Sequence, residues 1–155
     1  MKKSIYLLFV LFTTFALLLS SCGKTEETTP VPTEEPAADI AMKITGMVAN
    51  EMAWTEAEVQ AMNTLDVEST NSSGEKSTYT GVLITDLLAL AQPNADATTV
   101  VFVADDGYTA EIGLEEVNAC TDCIMSFRNK GGFSTVLPGK DGNLQVKGVV
   151  EIQVK

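Results

Sequence analysis

Turn signals cut residues 40–155 into short pieces. Gly46, the Asn71-Ser72-Ser73-Gly74 cluster, Pro93, Asp105-Asp106-Gly107, Gly131-Gly132, Pro138-Gly139 and Asp141-Gly142 are the breaks. Most of the pieces between them alternate apolar and polar residues with a period of two, which is the pattern of a half-buried strand. Ile40, Met42 and Ile44 alternate in this way, and strands are also expected over 65–69, 76–82, 108–112, 123–128 and 133–137. Residues 98–104 form the most β-branched run and are placed centrally in the sheet. Residues 144–154 supply one or two more strands. Two pieces read differently. Thr55 and Glu58 form a Thr-x-x-Glu capping box that opens a helix carrying Val59 and Met62 inward. Thr85 is expected to cap a second short helix that buries Leu87, Leu88 and Leu90. A helical turn is expected over 114–118. Many strands with few helices give an α+β domain with a mixed, mainly antiparallel β-sheet.

The sheet-forming region does not include the N-terminus. Residues 5–19 are apolar except for Thr13 and Thr14, and they follow Lys2 and Lys3. The run is about 15 residues, short of the ~20 a membrane span needs, and its position is that of a signal-peptide core. It ends in Leu19-Ser20-Ser21-Cys22, which resembles the bacterial lipobox, with Cys22 as the lipidated residue. Two or more acyl chains anchor stably where one does not. Residues 1–21 are therefore expected to be a cleaved leader. Residues 22–38 are expected to be a lipidated cysteine with a Pro/Thr/Glu tether too polar to fold. Residues 39–155 form the expected domain, held outside the cytoplasm on a lipid anchor.

Charge and composition exclude several function classes. Loss of Lys2 and Lys3 with the leader leaves 8 of the 10 basic residues against all 21 acidic ones, a net −13. Such a polyanion repels nucleic acid, so none is expected as a partner. The chain has no histidine. That removes Ser-His-Asp and Cys-His catalysis and every histidine-based metal site within one chain.

Several motifs recur in a fixed order. They are Ile44-Thr45-Gly46-Met47-Val48, then Thr78-Tyr79-Thr80-Gly81-Val82 leading to Asp86-Leu87-Leu88, then Phe102-Val103-Ala104-Asp105-Asp106-Gly107-Tyr108. Val136-Leu137-Pro138-Gly139 and Val146-Lys147-Gly148-Val149-Val150-Glu151-Ile152 follow. Together they resemble the sulfite-oxidase-like molybdopterin-binding domains, across roughly residues 40–155. The resemblance implies that fold. It also implies where a metal-ligating cysteine stands in the enzymes, in the stretch before the Tyr-Thr-Gly-Val passage. Here that stretch, 65–78, has only Ser69, Thr70, Asn71, Ser72 and Ser73 as candidates, and a hydroxyl is a poorer, harder ligand than a thiolate. Arg128 is the only arginine. No catalytic residue, no metal and no cofactor, molybdopterin included, are therefore expected. A ligand site, if present, is expected near Tyr79, Thr80, Asp105, Asp106 and Tyr108, where strand ends and turns converge.

Cys120 and Cys123 leave three readings open: a structural disulfide, a redox-active dithiol, or half of a metal site. Glu115, Glu116 and Asp122 surround them in sequence and should raise thiol pKa values, which disfavours an easy nucleophile. The expected function is a membrane-anchored, non-catalytic binding or accessory module that meets a small ligand or an envelope protein. One alternative is an oxidoreductase subunit that uses a molybdopterin-type cofactor or the Cys120/Cys123 couple. The other is an envelope interaction protein.

Overall fold

The computed structural model of the chain describes residues 39–70 and 73–155. The expected leader, Cys22 and the tether lie outside the described residues, as do Asn71 and Ser72. Strand β1 (Met42–Gly46) is followed by β2 (Met52–Trp54), helix α1 (Glu56–Gln60), β3 (Thr64–Thr70), β4 (Lys76–Leu83) and α2 (Ile84–Ala91). Next come β5 (Thr99–Ala104), β6 (Thr109–Gly113), α3 (Leu114–Asn118), β7 (Ile124–Phe127) and β8 (Phe133–Val136). A 3₁₀ turn at Gly142–Leu144 leads into β9 (Lys147–Val154).

The strands form one mixed sheet. Every pairing is antiparallel except β1 with β9. Strand β9 is the hub. One of its edges pairs with β5 from Val149 to Val154. The other takes β8 around Lys147 and Val149, then β1 from Glu151 to Val154. One branch continues from β5 to β6, one from β1 to β2, and one from β8 through β7 and β4 to β3. The most β-branched run, β5, thus lies between two partners, as expected from its sequence. The main core gathers Met42, Ile44, Phe102, Phe133 and Ile152, all fully buried, with Ile84, Leu87, Leu88 and Val117 from the helices. A smaller cluster joins Val67, Ile124 and Val136 with Leu65, Tyr79 and Leu83 packed against it.

Local chemistry accounts for the helices. Thr55 accepts the Glu58 backbone N–H, and the Glu58 carboxylate accepts the Thr55 N–H at 2.7 Å, so both halves of the capping box form. The Thr55 backbone N–H and hydroxyl hold the Glu58 carboxyl below its ordinary range. Helix α2 departs from expectation. Thr85 does not cap it: β4 runs directly into the helix through Leu83, without a side-chain cap. The Ile84 N–H is satisfied instead by the Cys123 carbonyl at 3.0 Å. The buried face is Ile84, Leu87, Leu88 and Ala91, at spacings of three and four, so Leu90 turns off it and is 48% exposed.

Candidate functional site

The β5–β6 turn is built by its own polar residues. Asp106 accepts the Tyr108 N–H at 2.9 Å, and Gly107 takes the positive φ of +85° that closes the turn. Asp105 docks on β9: its N–H donates to the Gly148 carbonyl at 2.8 Å, and its carboxylate lies over Gly148. A Cβ at Gly148 would come within 2.5 Å of Asp105 Oδ1, so this contact requires glycine there. Tyr108, 46% exposed, reaches across and donates its hydroxyl to the Asn143 carbonyl at 2.9 Å.

That bond ties the turn to the 138–144 loop. The same C-terminal end of the loop is also fixed by Thr135, buried on β8. Its hydroxyl donates to the Leu144 carbonyl at 2.5 Å and accepts the Val146 N–H at 2.6 Å. The Gln145 side chain brackets Leu137, accepting its N–H at 3.2 Å and donating to its carbonyl at 2.9 Å. Between this loop, β6 and α3 lies a cleft of about 390 Å³ lined by Glu111, Glu116, Lys140, Asp141 and Asn143, among others. The volume falls within the range of small-molecule sites. Lys140 pairs with Glu116 at 3.0 Å and Lys155 with Glu111 at 3.4 Å. Three carboxylates and one lysine line the cleft, so its wall accepts hydrogen bonds more readily than it attracts anions. Sequence reasoning pointed to Tyr108 but missed the cleft. Its walls come from segments about 30 residues apart in the chain, and no short motif spans them.

The other two residues of the expected ligand set lie elsewhere. Tyr79 and Thr80 are on β4, and β7, β8 and β9 stand between β4 and β5. Tyr79 is half-buried against the Val67, Ile124 and Val136 cluster, and the Thr80 hydroxyl donates to Asp66 at 2.5 Å. Asp105, Asp106 and Tyr108 share one turn. Tyr79 and Thr80 belong to the β3–β4 hairpin.

Sulfur is placed far along the chain from that hairpin. Cys120 and Cys123 are joined by a disulfide in the link between α3 and β7. Cys123 is fully buried and Cys120 half-buried. In the 65–78 stretch, Ser69 is half-buried on β3 opposite Ser77 of β4, and Thr70 is exposed at the strand end. The described residues of that stretch offer hydroxyls and carboxylates, not sulfur.

Residues 28–155 match the family model described as "Oxidoreductase molybdopterin binding domain". Among solved structures, the sulfane dehydrogenase SoxCD from Paracoccus pantotrophus matches with a TM-score of 0.65 at 17% identity, over 76% of this chain. The chain spans 38% of that protein's length. At this identity the likeness shows the fold, and the mixed sheet with few short helices is that fold. No curated protein matches. The family match overturns the expectation that no cofactor goes with this chain: molybdopterin is the cofactor class of the family. That expectation rested on the missing cysteine and the scarcity of cations. Both bear on how a cofactor is held rather than on whether the fold is of the cofactor-binding kind. What the residues do not fit is ligation of molybdenum by a protein thiolate. The two sulfurs among the described cysteines are bonded to each other, and a disulfide sulfur is not a thiolate.

Proposed function

The chain belongs to the oxidoreductase molybdopterin-binding domain family, and from that premise we propose that it is a lipid-anchored, extracytoplasmic accessory module. It uses the family fold for binding and does not turn over a substrate. Cys22, outside the described residues, carries the lipid, and the 22–38 tether lets the domain reach a ligand or partner at the envelope surface. One observation carries this reading: the hairpin stretch that precedes the Tyr79-Thr80-Gly81-Val82 passage offers no sulfur among its described residues, and the Cys120–Cys123 pair is locked in its own bond. Without a thiolate the protein contributes no soft, charge-donating ligand with which to tune a metal's redox chemistry.

The test uses the full chain, produced in cells that make molybdenum cofactor and extracted from membranes in detergent. Labelled fatty acid should enter the wild type and not Cys22→Ser. With artificial electron donors and acceptors, the purified chain should show no turnover of sulfite, sulfane sulfur or S- and N-oxides. Turnover of any of them with retained molybdenum would overturn the proposal and favour an oxidoreductase subunit. The family match is the observation on which that second reading stands.

A further inference from the structure

The link between α3 and β7 brings together a set of donors that the accessory reading does not use. Cys120 Sγ, Asp122 carboxylate oxygen and Cys123 Sγ all lie within 4.8 Å of one another, and Cys120 Sγ is 3.3 Å from Asp122 Oδ1. The two Cα atoms are 5.6 Å apart. We propose that when this disulfide is reduced, Cys120, Cys123 and Asp122 become the three protein ligands of a borderline-soft divalent cation of the zinc class.

The chemistry balances with a dithiol as reductant. The dithiol gives two electrons and two protons, its own sulfurs join in a new disulfide, and the Cys120–Cys123 bond opens to two thiols. The cation then displaces both thiol protons, because only thiolates ligate. Tetrahedral bonds of about 2.3 Å set two thiolate ligands roughly 3.8 Å apart. The Cys-x-x-Cys spacing reaches that separation by rotation of the side chains, within the span the donor atoms already occupy.

Electrostatics favours a cation at this place and disfavours a free thiolate. The Asp122 carboxylate adjoins the pair, with Oδ1 3.3 Å from Cys120 Sγ, and no lysine or arginine occurs from residue 114 to 127. This setting destabilises an unpaired thiolate and therefore makes a poor redox nucleophile. The same carboxylate stabilises a divalent cation that neutralises both thiolates. Burial divides the roles: Cys123 is enclosed, Cys120 is half-buried and Asp122 is exposed. The fourth position thus faces solvent and takes water. The cation would also replace the disulfide as a staple. The Cys123 carbonyl accepts the first N–H of α2, and the Cys120 N–H donates to the Val117 carbonyl of α3, so holding 120–123 together holds this junction.

The test uses the full chain carrying Cys22→Ser, which leaves Cys120 and Cys123 as its two thiols. The chain is reduced with a dithiol, freed of reductant and titrated with Co²⁺. The expected result is a sulfur-to-cobalt charge-transfer band that saturates at one cobalt per chain, with displacement by Zn²⁺ and no band in the oxidised chain. Asp122→Asn, an exposed substitution, should weaken the affinity about 10- to 100-fold, the scale at which even outer-shell partners act. Absence of the band overturns the proposal. So does an affinity unchanged in Asp122→Asn, or one cobalt per two chains, since four thiolates from two copies would then complete the site.

Discussion

Strands β4 and β7 pair at Gly81, which stands opposite Ser126. A Cβ placed on Gly81 would sit against the Met125 carbonyl and 2.6 Å from Ser126 Cα. Ordinary carbon–carbon contact is about 3.5–4 Å, so the strands would have to part by roughly 1 Å. The obstructing atoms are all backbone, and no rotamer relieves them. Overpacking costs about 1–3 kcal/mol where side chains can adjust. Here the three pairs from Gly81 to Leu83 must shift together with buried Val82, so Gly81→Ala should cost about 3 kcal/mol. For a domain of this size that lowers Tm by about 10–15 °C. Two comparators separate sterics from backbone freedom. Gly107 has φ +85° with nothing within 4 Å of its Cβ position, so Gly107→Ala should cost only about 1–2 kcal/mol, the left-handed penalty. Gly142 has neither a positive φ nor a neighbour within 4 Å, and Gly142→Ala should be neutral or stabilise by up to about 1 kcal/mol. Thermal unfolding of the three variants followed by circular dichroism gives the order. If Gly81→Ala melts no lower than Gly107→Ala, the close approach of β4 and β7 is not what makes glycine necessary.

Thr135→Val removes both bonds that hold Leu144 and Val146, leaving buried polar backbone unsatisfied; chemical denaturation should show a loss of about 2–3 kcal/mol. Tyr108→Phe removes only the exposed tie to Asn143, so it should cost about 0.5–1 kcal/mol while hydrogen exchange at 139–144 quickens. Glu151 is governed by opposing effects. Partial burial pushes its pKa up, but the Thr45 hydroxyl at 2.6 Å and the Lys43 ammonium at 3.2 Å, with Gln153, hold it below the ordinary carboxylate range. A depressed folded pKa contributes stability above the unfolded value and loses it as pH falls through the folded one. Glu151→Gln should therefore be less stable than wild type by at most about 1 kcal/mol near neutral pH. The difference should close in acid, as urea midpoints at about pH 7 and about pH 3 would show.

The sequence disclosed those elements whose stabilising contacts are local. Strands β3 and β4 followed from the runs on either side of Asn71-Ser72-Ser73-Gly74, and α1 from its Thr55/Glu58 box. Helix α3 occupies Leu114–Asn118, where a helical turn is expected from the sequence. Elements fixed by distant partners were not legible. Strand β2 is Met-Ala-Trp, without β-branched residues, and exists because Met42–Ile44 of β1 pairs with it. Thr85 resembled a cap, yet α2 begins on a hydrogen bond to the Cys123 carbonyl, 39 positions away in sequence. The cleft wall draws on β6, α3 and the 138–144 loop, whose proximity is tertiary.

The residues that carried the family resemblance have structural roles. Gly81 lets β4 lie against β7, Gly107 closes a turn, and Gly148 makes room for the Asp105 carboxylate. Leu87 and Leu88 fill the core, and Tyr108 braces the loop beside the cleft. Each of these roles serves the frame whatever chemistry it supports, so a chain can keep all of them without a thiolate in the hairpin stretch. The same logic explains how composition and fold led to different expectations for the cofactor. Composition reports on the groups that grip a ligand, and here they are scarce. The motifs report on the frame around it, and that frame is the family's own. A domain so built has its function decided by a handful of side chains on an otherwise retained scaffold. Among the described residues, the side chains that this frame leaves free to vary include those of the acidic cleft around Lys140 and of the Cys120–Asp122–Cys123 link.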